Sequence, residues 1–156
     1  MATIHPSTYD QNEWTNLYDS IENNTDITQY VFNEFIKLQY FSNKQNDIET
    51  KLKSFIVQIQ LNYKKNHYHN FKHAIHVFKS SIVMWKHLCN RVCFDFNHID
   101  HIALLVAAFI HDVCHPGGFN SLLIGVNNEL ANSYNDQSIL ENQSLSLNTQ
   151  LEKKCK

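Results

Sequence analysis

Apolar residues recur three or four positions apart through most of this chain, whereas the strict alternation typical of strands does not occur. The periodicity predicts helices over residues 27–36, 48–63, 71–89, 98–110 and 121–131, and a sixth that begins near Asn135 and Asp136. Asp26 and Asp47 are suitable N-caps for the first two helices, as is Asp136 or Ser138 for the last. We therefore predict an all-α fold, a compact multi-helix domain.

Two segments carry more apolar surface than an ordinary amphipathic helix. Residues 98–110 are apolar on almost every side, which is typical of a helix in the middle of a core. Near the end of the chain, Leu140, Leu145, Leu147 and Leu151 form an apolar face that no later segment covers. We expect that face to aggregate, or to bind another copy of the chain or a different partner chain.

Composition and charge narrow the class of protein. The chain has 156 residues, 43% of them hydrophobic and 18% charged, which favours one globular domain. A net charge of −2 without a long basic run argues against nucleic-acid binding. No apolar stretch is long enough to predict a membrane segment, and no secretion signal is visible. The four cysteines lack paired spacing, so we expect reduced thiols and a cytoplasmic location.

Three segments hold the candidate chemistry: YHNFKHA at 68–74, FIHDVCHPGGFN at 109–120 and YNDQSILEN at 134–142. His69 and His73 are four positions apart, so on a helix their rings share a face. His111 and Asp112 are adjacent, and adjacent helical side chains point about 100° apart. Both can reach one ion only where the helix ends, and the Pro-Gly-Gly turn that follows favours such an end.

A site of histidine and aspartate that holds two divalent ions suits phosphoester hydrolysis, and a histidine without a metal could protonate the leaving group. The spacing leaves open which of His69 and His73 is a ligand and which is the acid. Each feature also has a simpler interpretation: a chance pair of histidines, a helix stop, or a carboxylate that complements a helix dipole. The three segments together, in this order, favour the functional interpretation.

Together the three segments closely resemble the signature of the class I 3',5'-cyclic-nucleotide phosphodiesterase catalytic domain. The resemblance implies a helical domain of the HD type that hydrolyses cyclic AMP or cyclic GMP to the 5'-monophosphate in signal transduction. It also implies a zinc ion and a second ion, magnesium or manganese. On this basis residues 26–156 are the N-terminal part of that domain, truncated at the C-terminus, and residues 1–25 are a polar segment before it.

The resemblance also assigns roles to individual residues. His73, His111 and Asp112 match zinc ligands, and the resemblance implies that Asp112 also contacts the second ion. His69 matches the general acid that protonates the O3' leaving group.

Four further residues match positions around the metals. His115 and Glu141 match residues that orient metal-bound waters and the acid. Tyr68 and Asn120 match pocket or scaffold positions.

The chain departs from the family pattern at several positions. His76 stands where the family usually has an aspartate, Cys114 where it usually has an acid, and Gln143 and Ser144 where it has a histidine pair. The sequence ends before the family's later aspartate ligand, its base-binding glutamine and its aromatic clamp. Two alternatives therefore stay open: a catalytically incomplete relative that binds a partner chain, and another His-Asp metal phosphohydrolase.

Overall fold

The computed structural model describes residues 27–38, 45–91 and 97–154, and all regular structure in these ranges is helical. The described helices are α1 Ile27–Lys37, α2 Gln45–Asn62, α3 Phe71–Arg91, α4 His98–Ile110, α5 Asn120–Gly125, α6 Glu129–Ser133 and α7 Ile139–Lys154. The all-α prediction is confirmed. None of these helices is both long enough and apolar enough to cross a membrane. The predicted polar segment 1–25 and the predicted cap Asp26 lie outside the described residues.

Phe78 of α3 lies at the centre of the apolar core and is fully buried. Its ring centroid is 5.5 Å from that of Phe35 on α1 and 5.9 Å from that of Phe109 on α4. Such tilted and edge-to-face contacts between aromatic rings are favourable. On the α2 side, the Tyr63 hydroxyl donates a hydrogen bond of 2.9 Å to the Phe109 carbonyl. These contacts hold α4 against the three helices that precede it.

Only one side of α4 is buried. Leu105 and Phe109 face the core, whereas Ile99, Ala103 and Ala107 are exposed. The prediction that this helix lies in the middle of the core is therefore wrong. Its exposed side forms a wall of an apolar groove of about 520 Å³ that lies between α4 and α7.

The helix predicted over residues 121–131 is two short helices, α5 and α6. Asn127 adopts a left-handed backbone conformation with φ of 48°, which ends the first helix. The Asn128 side chain then accepts a hydrogen bond of 3.0 Å from the backbone N–H of Leu130 and caps the second.

Helix α7 begins three residues after the predicted cap Asp136. Asp136 and Ser138 have left-handed φ values of 60° and 42° and form the turn before the helix. The backbone N–H of Leu140, in the first turn, donates to Asn120 Oδ1 at 3.1 Å, rather than to Asp136 or Ser138. The side chain that caps this turn thus comes from α5.

The leucines of α7 do not form the uncovered face that was expected. Leu140 and Leu151 are buried, and Leu147 packs against the core. Leu145 alone of the four is exposed, and it lines the groove beside α4. The expectation is wrong for three of the four leucines, while association with another chain stays a prediction.

Ser144 of α7 ties this helix to the turn after α4. Its hydroxyl donates to the Val113 carbonyl at 3.0 Å, and both residues are buried. Ser144→Ala leaves that carbonyl unpaired, so we expect the free energy of unfolding to fall by about 1–3 kcal/mol. Denaturant titration measures the change, and Ser146→Ala, at an exposed position of the same helix, is the matched control. Equal stabilities of the two variants would contradict a stabilising role for the Ser144 bond.

Candidate metal centre

His69 and His73 do not share a helix. Helix α3 begins at Phe71, where the Asn70 side chain accepts a hydrogen bond of 3.0 Å from the backbone N–H of His73. His73 therefore lies in the first turn of α3, and His69 lies in the loop before it. Their ring centroids are 6.0 Å apart and the ring planes are almost perpendicular. The expectation of two rings on one helical face is wrong, and each imidazole meets a different partner.

The end of α4 brings His111 and Asp112 to one point. The helix ends at Ile110, and the backbone then turns through Cys114, which has a left-handed φ of 61°. The backbone N–H of Cys114 donates to the carbonyl of Asn62 on α2 at 3.1 Å, which holds the turn in place. His111 Nε2 consequently lies 3.1 Å from Asp112 Oδ2. The sequence argument that a helix end allows these adjacent residues to converge is confirmed.

His73 joins these two residues to complete a set of three ligand atoms. His73 Nε2 lies 3.3 Å from His111 Nε2 and 3.4 Å from Asp112 Oδ2. A tetrahedral zinc ion with ligand bonds of about 2.0–2.1 Å requires its donor atoms to be about 3.3–3.4 Å apart. The three atoms therefore fit one face of a zinc tetrahedron.

The tautomer of the neutral His111 ring suits a metal ligand. Its Nδ1 lies 2.9 Å from the Ala108 carbonyl, so Nδ1–H donates there and Nε2 keeps its lone pair. Burial disfavours the charged ring, but the adjacent Asp112 carboxylate and the hydrogen bond to Ala108 outweigh burial, so the pKa of His111 is raised above its ordinary value. A proton therefore competes with a metal ion for the lone pair of His111 Nε2.

The carboxylate and the second imidazole are biased toward their metal-binding forms. Burial favours a neutral Asp112, but the adjacent His111 ring and its charge outweigh burial, so the pKa of Asp112 is lowered. Burial and the charge of His111 lower the pKa of His73. Asp112 Oδ2 is buried and has no aligned hydrogen-bond partner. A cation would satisfy this oxygen.

Asp112 also belongs to a second group of candidate ligands, with His69 and His115. The rings of His69 and His115 are stacked, with their centroids 3.8 Å apart. The backbone N–H of Gly117 donates to His115 Nδ1 at 3.0 Å, and burial followed by the charge of His69 lowers the pKa of His115. One carboxylate thus lies between two clusters of imidazoles.

Glu141 and Asn120 form another wall of this site. Asn120 Nδ2 donates to Glu141 Oε2 at 3.0 Å while its Oδ1 caps α7. Both residues line a polar pocket of about 230 Å³, together with His69, His111, Asp112 and His115.

Tyr68 lies at the edge of the site and is 63% exposed. Its ring centroid is 4.4 Å from that of His73 and 5.0 Å from that of His69. The fold therefore brings all eight residues singled out from the sequence into one region.

Sequence reasoning did not identify Asn66. Its side-chain amide donates to the carbonyls of both His69 and His115. Asparagine in a short loop commonly bonds to nearby backbone, which is a signal for the first of these bonds. The second spans 49 residues and depends on the tertiary structure.

Comparisons with known proteins agree on one family. A family model described as 3'5'-cyclic nucleotide phosphodiesterase matches residues 68–156. The probable 3',5'-cyclic-AMP phosphodiesterase pde-4 of Caenorhabditis elegans is 35% identical over 83% of this chain and 19% of its own length. The high affinity cAMP-specific and IBMX-insensitive 3',5'-cyclic phosphodiesterase 8A of Mus musculus is 38% identical over 66% of this chain and 12% of its own length.

The fold agrees with the same family. The phosphodiesterase domain of Salpingoeca rosetta rhodopsin phosphodiesterase matches with a TM-score of 0.65 and 27% identity, over 93% of this chain. This chain covers 39% of that domain. The sequence match, the helical fold and the clustered histidines lead to the same conclusion: the chain belongs to the 3',5'-cyclic nucleotide phosphodiesterase family.

Proposed function

We propose that this chain forms the metal-binding part of an enzyme that hydrolyses a 3',5'-cyclic nucleotide to its 5'-monophosphate. The main support is the convergence of His73, His111 and Asp112 on one point in a member of the phosphodiesterase family. Membership in that family favours this function over that of another His-Asp phosphohydrolase. The names of the relatives make cyclic AMP the first substrate to test, with cyclic GMP beside it.

The donor set fits a divalent metal, and we assign His73, His111 and Asp112 to zinc. Two imidazole nitrogens and one carboxylate oxygen are a common catalytic zinc set. We assign a second ion, magnesium or manganese, to Asp112 on the side of His69 and His115. When bound, such ions activate water and neutralise charge on phosphate oxygens.

His69 is the residue we assign to proton transfer. In the reaction a hydroxide oxygen bonds to phosphorus, the P–O3' bond breaks, and its electron pair stays on O3'. A proton from the His69 imidazole neutralises that oxygen and avoids release of an alkoxide. His69 lines the polar pocket, in which we expect the phosphate to bind.

The other four candidate residues lie near the zinc ligands and His69. Stacking against His115 limits the orientations of the His69 ring. Glu141, held by Asn120, is suited to accept hydrogen bonds from water in the pocket. Tyr68 contacts the His69 ring edge to face and the His73 ring in a tilted arrangement. A cytoplasmic location stays a prediction.

The activity test uses this chain supplied with zinc and magnesium, and it follows formation of 5'-monophosphate from cyclic AMP and cyclic GMP. We expect His69→Ala to lower kcat by about 100–10,000-fold, because general-acid catalysis contributes that much. His67→Ala is the matched control, since His67 lies in the same loop with an exposed side chain. Equal losses in both variants would contradict the role of His69, whereas zinc-loaded wild-type protein without turnover would favour the catalytically incomplete alternative.

Zinc binding tests the metal assignment without any turnover. His111→Ala removes one of the three donors, so we expect zinc affinity to fall by more than about 100-fold, the upper range for losing a residue that only orients a ligand. A competing chelator titration measures the affinity. His98→Ala, at the exposed start of the same helix, should bind zinc as the wild type does. Unchanged affinity in the His111 variant would rule out this donor set.

The pH dependence of zinc affinity follows from the raised pKa of His111. As the pH falls through that pKa, the ring gains a proton on the nitrogen that faces Asp112 and loses its lone pair. We expect apparent affinity to fall by about tenfold per pH unit below the His111 pKa and to be constant above it. A chelator titration at a series of pH values measures the profile. If affinity begins to fall only below about pH 6.5, the ordinary histidine value, the pKa of His111 is not raised.

A further inference from the structure

A single asparagine connects the two histidine-bearing segments of the polar pocket. Asn66 Nδ2 donates to the His69 carbonyl at 3.0 Å and to the His115 carbonyl at 2.7 Å. The first acceptor lies in the loop before α3, and the second lies in the turn after α4. Asn66 is thus a direct side-chain link between them.

Asparagine is well suited to this position because its amide has two N–H donors in one plane. Both donors are used, one for each carbonyl. An aspartate of the same shape has no donor when ionised and would place negative charge against two carbonyl oxygens. A serine has a single donor and could serve only one of the two carbonyls.

The surrounding backbone is shaped to admit this side chain. Gly117 has a φ of +90°, and a Cβ there would lie 3.3 Å from Asn66 Oδ1. A larger residue at 117 would therefore press on the amide as well as strain the backbone. On the other side, the Asn66 carbonyl accepts from Asn70 Nδ2 at 2.9 Å, and Asn70 caps the helix of His73.

We propose that Asn66 is a positioning residue that keeps the imidazole of His69 stacked on that of His115, facing Asp112. By tying together the two backbone carbonyls, the amide sets the separation of the two rings, whose centroids are 3.8 Å apart. The proposal rests on the proposed function, in which His69 supplies the proton that the reaction needs.

The set of His73, His111 and Asp112 does not depend on the Asn66 amide. His111 is oriented by the Ala108 carbonyl, and His73 by the Asn70 side chain. The bond from Asn70 to residue 66 uses a backbone carbonyl, which every substitution keeps. Loss of the Asn66 side chain should therefore separate His69 from His115 and leave the zinc ligands together.

The test uses the full chain and measures ring-to-ring nuclear Overhauser contacts of the histidines by NMR, together with bound zinc. In Asn66→Asp we expect loss of the contacts between His69 and His115, while those between His73 and His111 and the zinc stoichiometry persist. Asn132→Asp, the same chemical change at an exposed position of α6, should keep both sets of contacts. In the activity assay we expect kcat to fall by about 100-fold at unchanged KM, as for a misplaced catalytic group.

A second variant guards against a loss of folding. If Asn66→Asp also loses the contacts between Phe78 and Phe109, Asn66→Ala, which removes both donors without adding charge, decides the question. A folded variant in which His69 and His115 stay in contact would overturn the proposal, as would a parallel loss of zinc and of the contacts between His73 and His111. Wild-type protein without turnover would favour the catalytically incomplete alternative to the proposed function and would leave this NMR result fully interpretable.

Discussion

A carboxylate removed from water must be paired or must bind a cation, and this requirement governs the arrangement around Asp112. Its side chain is buried. Its Oδ2 atom lies 3.4 Å from His73 Nε2 and 3.1 Å from His111 Nε2. The same carboxylate forms a second group with His69 and His115. One buried charge thus gathers four histidines that come from two distant parts of the sequence.

The position of that carboxylate depends on how the end of α4 is held. Carbonyl groups in the last turn of a helix lack partners within the helix, so other elements must supply the donors. The hydroxyl of Tyr63, just after α2, donates to the Phe109 carbonyl, and the Ser144 hydroxyl of α7 donates to the Val113 carbonyl in the turn after α4, next to Asp112. Packing of α2 and α7 against α4 and the geometry of the metal centre are therefore coupled through hydrogen bonds.

Periodicity predicted the helices and the all-α fold because each helix buries one face, and that pattern is local. It could not show that one side of α4 is uncovered, since burial depends on which elements pack there. It also missed the break at Asn127, because the spacing of apolar residues continues across it, although Gly125 and the pair Asn127-Asn128 are turn signals.

That the candidate site residues cluster in one region was predictable from the sequence, but their geometry was not. The sequence spacing predicts that His69 and His73 share one face of a helix. In the structure Asn70 caps the helix, so the helix begins between the two residues and their rings point in different directions. The link from Asn66 to His115 spans 49 residues and joins elements that only the tertiary structure brings together. Short motifs therefore predict which groups meet, and long-range hydrogen bonds determine how they are oriented.

Two departures from the usual family motifs are compatible with the metal centre. His76 stands where the family pattern has an aspartate. Burial and the charge of His111 lower the pKa of His73 most, and the charge of His76 acts in the same direction, whereas an anionic neighbour would raise it. The replacement therefore favours the neutral imidazole that a metal requires. Ser144 replaces a histidine, yet its hydroxyl donates to Val113 and keeps α7 tied to the turn that carries Asp112. Neither change removes an atom from the set of His73, His111 and Asp112 that we assign to zinc.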